Sequence, residues 1–222
     1  MPLDPGDAAG IEAPARDCPL CPRLVRYREA NRAAHPDWFN APVPSFGDPD
    51  ARLMILGMAP GVKGANRTGR PFTGDHAGLL LFETLRRFGF AEGEYEAAPD
   101  DGLVLRDCRI VNAVRCVPPA NLPEAVEVTT CNRFLVAELQ GMNNLSAVLA
   151  LGVLAHAALL KACGIPPSRL RFRHGQLHEL PDGLLLADSY HLSRYNTNTG
   201  RLTRAMFESV MAALAERLRG PT

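Results

Sequence analysis

Lysine is almost missing from this chain. Lys63 and Lys161 are the only two among its 24 basic residues. The remainder are arginines, whose planar fork suits phosphate, but so uniform a bias tracks genome composition as readily as function and carries little weight. Net charge is missing too. The 24 acidic residues cancel the 24 basic ones, which excludes a surface that clings everywhere to nucleic acid and leaves room for a local basic groove. There is no basic-then-apolar opening, no apolar run of membrane-spanning length and no internal repeat. A soluble, cytoplasmic protein with reduced cysteines and no membrane partner is therefore expected. At 222 residues the chain is long enough for one domain over 1–222 with a core that needs no disulfides. Residues 1–16, rich in Pro, Gly, Ala and Asp, read as a loose lead-in.

What is present begins with cysteine. Cys18-Pro-Leu-Cys21 forms one pair, and Cys116 and Cys131 form another across fourteen intervening residues. Four converging thiolates would suit structural zinc or an iron-sulfur cluster, and the spacing alone does not choose between them. It departs from the CxxC knuckles of zinc ribbons and from the consecutive cysteines of bacterial ferredoxins, which points to a centre embedded in another fold. Cys108 and Cys163 fall in or beside apolar strand and helix patterns and read as packed thiols.

Apolar periodicity predicts helices over 22–34, 76–88, 124–140, 153–162 and 201–218. Buried strands are predicted over 52–57, 109–114 and 146–151, and strand-like runs over 169–180 and 184–189 flank the turn Pro181-Asp182-Gly183. Leu79, Leu80, Phe82, Leu85 and Phe88 recur on one helical side and should be core. Asn198 or Thr199 is available to cap the last helix. Alternating strands and helices give a three-layer αβα sandwich around a mainly parallel sheet, in which ligands sit beyond the carboxyl ends of the strands. The unusual residues obey that rule: segments starting at Gly57, Asn112 and His191 each leave a predicted strand, so three loops should meet at one cleft.

The first loop runs from Gly57 to Asp75. It lacks the Gly-Lys-Ser/Thr ending of a phosphate-binding loop, and its glycines miss the dinucleotide spacing. Its glycines still permit close ligand approach, Phe72 offers a flat apolar surface, and Asp75 places a carboxylate just before a helix, where it could equally serve as a cap. The last loop, His191-Leu-Ser-Arg-Tyr-Asn196 and onward, mixes a histidine, arginines, an aromatic and small polar groups, a blend suited to phosphate contacts and a wedge. His35, His76, His156, His174 and His178 lack comparable surroundings and are given no role.

Together these segments, with Asn112-Ala-Val-Arg-Cys116, Pro118-Pro119-Ala-Asn121 and Cys131, resemble the uracil-DNA glycosylase superfamily, specifically its iron-sulfur family 5 enzymes of thermophilic bacteria and archaea. The likeness spans nearly the whole chain. It implies that Cys18, Cys21, Cys116 and Cys131 hold a [4Fe-4S] cluster, that Phe72 stacks on an extruded base beside Gly57 and Ala59, and that Asn112 reads the base edge. His191 would face the base carbonyl. Family 4 enzymes carry an acid after the first glycine of the first loop, where this chain has Met58, so Asp75 is the expected catalytic carboxylate and Asn121 a second water-positioning group. Arg194, Tyr195, Asn196 and Leu202 would contact DNA, with Arg194, Tyr195 and Leu202 candidates to hold or fill the vacated stack. The implied activity is monofunctional hydrolysis of the N-glycosidic bond of uracil, and of bases such as hypoxanthine and xanthine, by a monomer acting on DNA in base excision repair. Two other classes share some of these features. An iron-sulfur redox or regulatory protein would use the thiolates alone, and a noncatalytic nucleic-acid binding module would use Phe72 and the arginines.

Overall fold

The computed structural model describes residues 11–220; the first ten positions of the expected lead-in lie outside them. In chain order the elements are α1 (Pro22–Ala34), β1 (Phe46–Gly47), β2 (Leu53–Gly57), α2 (Ala65–Thr68), α3 (His76–Arg87), β3 (Ala91–Glu92), β4 (Val104–Leu105), β5 (Cys108–Asn112), a 3-10 turn (Pro119–Asn121), α4 (Ala125–Gly141), β6 (Ala147–Leu151), α5 (Val153–Ala162), β7 (Leu177–Glu179), β8 (Leu185–Ser189), α6 (Arg194–Asn198) and α7 (Arg204–Arg219). The main sheet has the order β1-β5-β2-β6-β8-β7. Its four inner strands are parallel, and β1 and β7 close the edges antiparallel.

Each inner strand reads as a short apolar run because both of its faces are covered. On β2, Leu53 and Ile55 join one core with Phe82, Leu85, Phe207 and Leu214 from α3 and α7. Met54 and Leu56 point the other way, toward Leu135 of α4 and Leu159 of α5. The result is the expected αβα sandwich. From β2 the chain crosses to β5 on one side of the sheet order, and from β5 it passes over β2 to β6 on the other. The strand order reverses at β2, the kind of place where open parallel sheets leave a crevice beyond their carboxyl ends.

Several expectations need correction. Leu79 is 50% exposed rather than core, because it turns outward from a helix whose inward face already holds Leu80, Leu81, Phe82 and Leu85. The run 169–180 is a strand only over Leu177–Glu179. The last helix starts at Arg204 with Thr203 as its cap, Oγ1 accepting from Met206 N–H at 3.2 Å, while Asn198 belongs to the separate short helix α6. No described helix is long and apolar enough to cross a membrane.

Candidate active site

A cavity of about 500 Å³ opens at the carboxyl end of the sheet. All three expected loops reach it, through Met58 to Gly61, Asn112 and His191. A fourth wall, Leu151 to Leu154 after β6, was overlooked in the sequence, although the rule about strand ends applies to it equally.

Gly57, Asn112 and Phe72 form one packed unit. A Cβ on Gly57 would lie 2.4 Å from Asn112 Oδ1 and 2.8 Å from the Phe72 ring, so glycine is what allows both side chains to close on the strand end. Asn112 is only 3% exposed, lines the cavity, and its amide has no hydrogen-bond partner among the described residues. Its amide faces the cavity, where a polar group without a protein partner is open to hydrogen bonding from that space.

Phe72 is buried with φ at +53°, a conformation a bulky side chain adopts at a cost of about 1–3 kcal/mol. The surrounding structure enforces it. Tyr95 Oη donates to Phe72 O at 3.0 Å and accepts from Gly74 N–H at 3.2 Å. A Cβ on Gly78 would fall 1.9 Å from the same Phe72 oxygen. Arg70 grips Asp101 with two bonds of 2.7 Å, which lowers the Asp101 carboxyl to about 2 and ties the loop to the 95–103 segment. Tyr95 and Asp101 were missed in the sequence because nothing local marks them; they act across more than twenty residues.

Asp75 caps α3, its Oδ1 accepting from Gly78 N–H at 3.1 Å. It also lines the cavity. Oδ2 has no hydrogen bond among the described residues and lies against Gly61 and Gly64, where added Cβ atoms would stand 3.5 and 2.7 Å away. Burial raises the Asp75 pKa, and the Gly78 and Ala77 amides offset only part of that rise. One carboxylate oxygen therefore caps the helix, while the side chain as a whole still borders the cavity. His191 faces Phe72 with ring centroids 6.5 Å apart. Burial lowers its pKa, favouring a neutral imidazole.

The remaining candidates divide. Ala59 and Arg194 line the cavity, and Tyr195 is 70% exposed beside it. Asn121 lines the cavity too, but its Oδ1 accepts from Val62 N–H at 3.3 Å, tying two loops together. Asn196 donates through Nδ2 to His191 O at 2.8 Å, so it positions the histidine loop. Leu202 is a correction: it is fully buried in the core beside Leu192 and Phe207 and cannot enter a base stack without unpacking the protein.

Next to this cavity, Cys18, Cys21, Cys116 and Cys131 line a second, small one. Ala59 and Val114 pack on the thiol cluster, and Val114 N–H donates to Met58 O at 3.0 Å, so the two sites share a wall. Burial, then repulsion among the thiols, pushes Cys21 up to about 11 and Cys116 to about 12. Ionising them together requires a compensating cation. Among the described residues no three of these sulfurs lie within 4.8 Å of one another, wider than the edge of about 3.8 Å that 2.3 Å bonds to one tetrahedral zinc require. Arg28 adds a further sign. Its Nη1 lies 4.0 Å from Cys116 Sγ, while its buried Nε has no partner. Four thiols on one small cavity form a donor set that soft, sulfur-preferring metal centres accept, without the tight grouping of a single-zinc site.

Comparison with known proteins decides the family. The family model of the Uracil DNA glycosylase superfamily matches residues 44–215. The chain belongs to the uracil-DNA glycosylase superfamily. Within that superfamily it is 46% identical over 209 residues to a type-5 uracil-DNA glycosylase of Thermus thermophilus, covering 91% of this chain and 94% of that one. It is 41% identical to the type-5 enzyme of Pyrobaculum aerophilum, covering 90% and 88%, and 39% identical to that of Mycobacterium leprae, covering 92% and 93%. This superfamily member therefore sides with the type-5 branch.

Proposed function

We propose that this chain is a single-domain DNA repair glycosylase that extrudes uracil from DNA and hydrolyses its N-glycosidic bond. The observation that carries the reading is the meeting of Phe72, Asn112, Asp75 and His191 around one cavity of about 500 Å³. Swinging a base out of the stack costs a few kcal/mol, offset by stacking on Phe72 and by a polar edge that completes the unpaired Asn112 amide. As the bond to C1′ breaks, the base leaves with the electron pair and positive charge develops on the sugar. The Asp75 carboxylate stabilises that charge and orients the water, whose hydroxyl bonds to C1′. Its proton passes to solvent, and the departing base takes one up. Neutral His191 donates a hydrogen bond to the base carbonyl where negative charge gathers. Groups preorganised in this way each contribute on the order of 3–4 kcal/mol.

Met58 stands in the wall where family 4 enzymes carry an acid, which agrees with a more apolar pocket and with hypoxanthine and xanthine as further substrates. Cys18, Cys21, Cys116 and Cys131 would hold a [4Fe-4S] cluster, which supplies a tie between α1, α4 and the segment after β5 and takes no part in base release. The test is incubation with a duplex carrying one uracil, alongside iron and sulfide analysis of the protein. Abasic sites are expected, with about four irons per chain. Intact uracil after treatment with cluster-loaded protein overturns the activity, and a fully active zinc-loaded, colourless preparation overturns the cluster.

A further inference from the structure

Between α5 and β7 the chain is irregular but ordered in its burial. Arg169, Arg171 and Arg173 are exposed, while Leu170, Phe172 and His174 are half-buried. The inward residues fasten the segment beside the base pocket. Leu170 O accepts from His156 Nε2 at 3.1 Å, and Phe172 meets the His156 ring edge-on at 5.8 Å. His156 lies in the first turns of α5, whose start lines the cavity. His174 stacks on Tyr190 at 4.8 Å and accepts its N–H at 3.1 Å, and Tyr190 directly precedes His191. Register places the segment at the same end of the sheet. Leu177 stands opposite Ala187 in the antiparallel β7–β8 pair, so the residues before it run past the carboxyl end of β8.

Two more arginines extend the strip. Arg194 lines the cavity, and the Arg201 guanidinium lies 4.8 Å over the Tyr190 ring. None of these five forms an ion pair with a carboxylate among the described residues. Some exposed arginines elsewhere are matched, Arg52 with Asp107, Arg86 with Glu94 and Arg106 with Glu92, whereas Arg16, Arg26, Arg67, Arg217 and Arg219 are exposed without such a pair among the described residues. What sets this strip apart is its placement: three unpaired arginines alternate along one short segment whose other side is pinned by rings and buried hydrogen bonds, and two more continue it past the cavity.

We infer that Arg169, Arg171 and Arg173, continued by Arg194 and Arg201, form a phosphate track that holds the DNA backbone beside the extruded nucleotide. The identity of the partner rests on the glycosylase reading; the placement of the track rests on the geometry alone. Phosphate contacts set register and supply salt-dependent affinity without reading sequence.

The test measures binding of undamaged duplex DNA across about 50–200 mM salt, where each neutralised phosphate contributes about 0.9 to the log–log slope. The triple variant Arg169→Gln, Arg171→Gln, Arg173→Gln is expected to lose about 2–3 of that slope, with its melting temperature retained. A control, Arg217→Gln with Arg219→Gln, removes charge from the opposite end of the sheet, beside Ser146 and Leu185, and should lose less than one phosphate's share. Equal slope losses in the two variants overturn the track. Should the triple variant fold poorly, the three single variants are measured, each expected to lose about 0.9; no loss in any of them overturns it equally. Because the probe carries no damaged base, failure of uracil release by the wild type would refute the activity without touching this result.

Discussion

Asp75 and Asp188 are both withdrawn from water at the carboxyl edge of one sheet, yet they end in opposite states. Asp188 is enclosed and satisfied. His156 Nδ1 donates to its Oδ1 at 2.8 Å, and Arg173 N–H and His178 Nε2 reach Oδ2 at 3.1 and 3.3 Å. His156 meets an acceptor at each ring nitrogen, the carboxylate and Leu170 O. Although burial works the other way, those partners raise its pKa. Asp75 has helix amides on one side and an open cavity on the other, and burial raises its pKa instead. The same residue type thus has both oxygens engaged in one place and, in the other, one oxygen without a hydrogen bond among the described residues.

The sharpest way to break this contrast is Asp188→Ala. It strips a buried ion pair of one partner and strands the other, so a loss of about 3–5 kcal/mol is expected, read as a lowered denaturation midpoint at pH 6. A loss below about 1 kcal/mol, the value of an exposed pair, would show that the network does not anchor the sheet edge. Asp75→Asn should do the reverse. Asparagine still caps α3 and removes a desolvated charge, so melting is unchanged or higher. Single-turnover uracil excision should fall by about 10²–10³-fold while DNA affinity is kept. Wild-type excision by this variant would remove Asp75 from the chemistry.

The smallest effect lies in pH. Both Asp75 and His156 have raised folded pKa values, so each contributes stability at low pH that is lost as pH rises through the folded value. The windows differ: Asp75 loses its share upward from the ordinary 3.8, His156 upward from 6.5. Stability measured against pH should therefore change for Asp75→Asn on the acid side and for His156→Gln near neutrality. A single shared window would mean that the two sites are coupled. Under the proposed role of Asp75, whose ionised form acts, the acid limb of excision measured against pH should lie above the ordinary carboxylate range.

Much of the fold was legible because local and tertiary demands agree. Pro22 at a helix start, the apolar run of β2 and the Asp182-Gly183 turn each mean the same thing in isolation and in the molecule. Disagreement arose where they diverge. The run 169–176 alternates as a strand would, but only Leu177–Glu179 finds a ladder partner on β8; the rest is drawn off by His156, Asp188 and Tyr190. Leu202 reads as a loop residue near arginines, yet it packs under Phe207, because Leu202 N–H bonds Asn196 O at 3.0 Å and turns the side chain inward. The histidines set aside as ordinary include His156 and His178, whose common partner Asp188 no spacing reveals.

By itself the sequence determined the alternation of strands and helices, the strand ends from which the chemical loops depart, and the supply of thiols, since these depend on neighbours within a few residues. The tertiary structure alone decided that Asn112 lacks a partner among the described residues while Asn121 has one, that Phe72 is held at positive φ by Tyr95, and that the four cysteines share a wall with the main cavity. Those outcomes rest on which distant groups complete a residue's hydrogen bonds or occupy the space beside it, and folding settles that only when the loops meet.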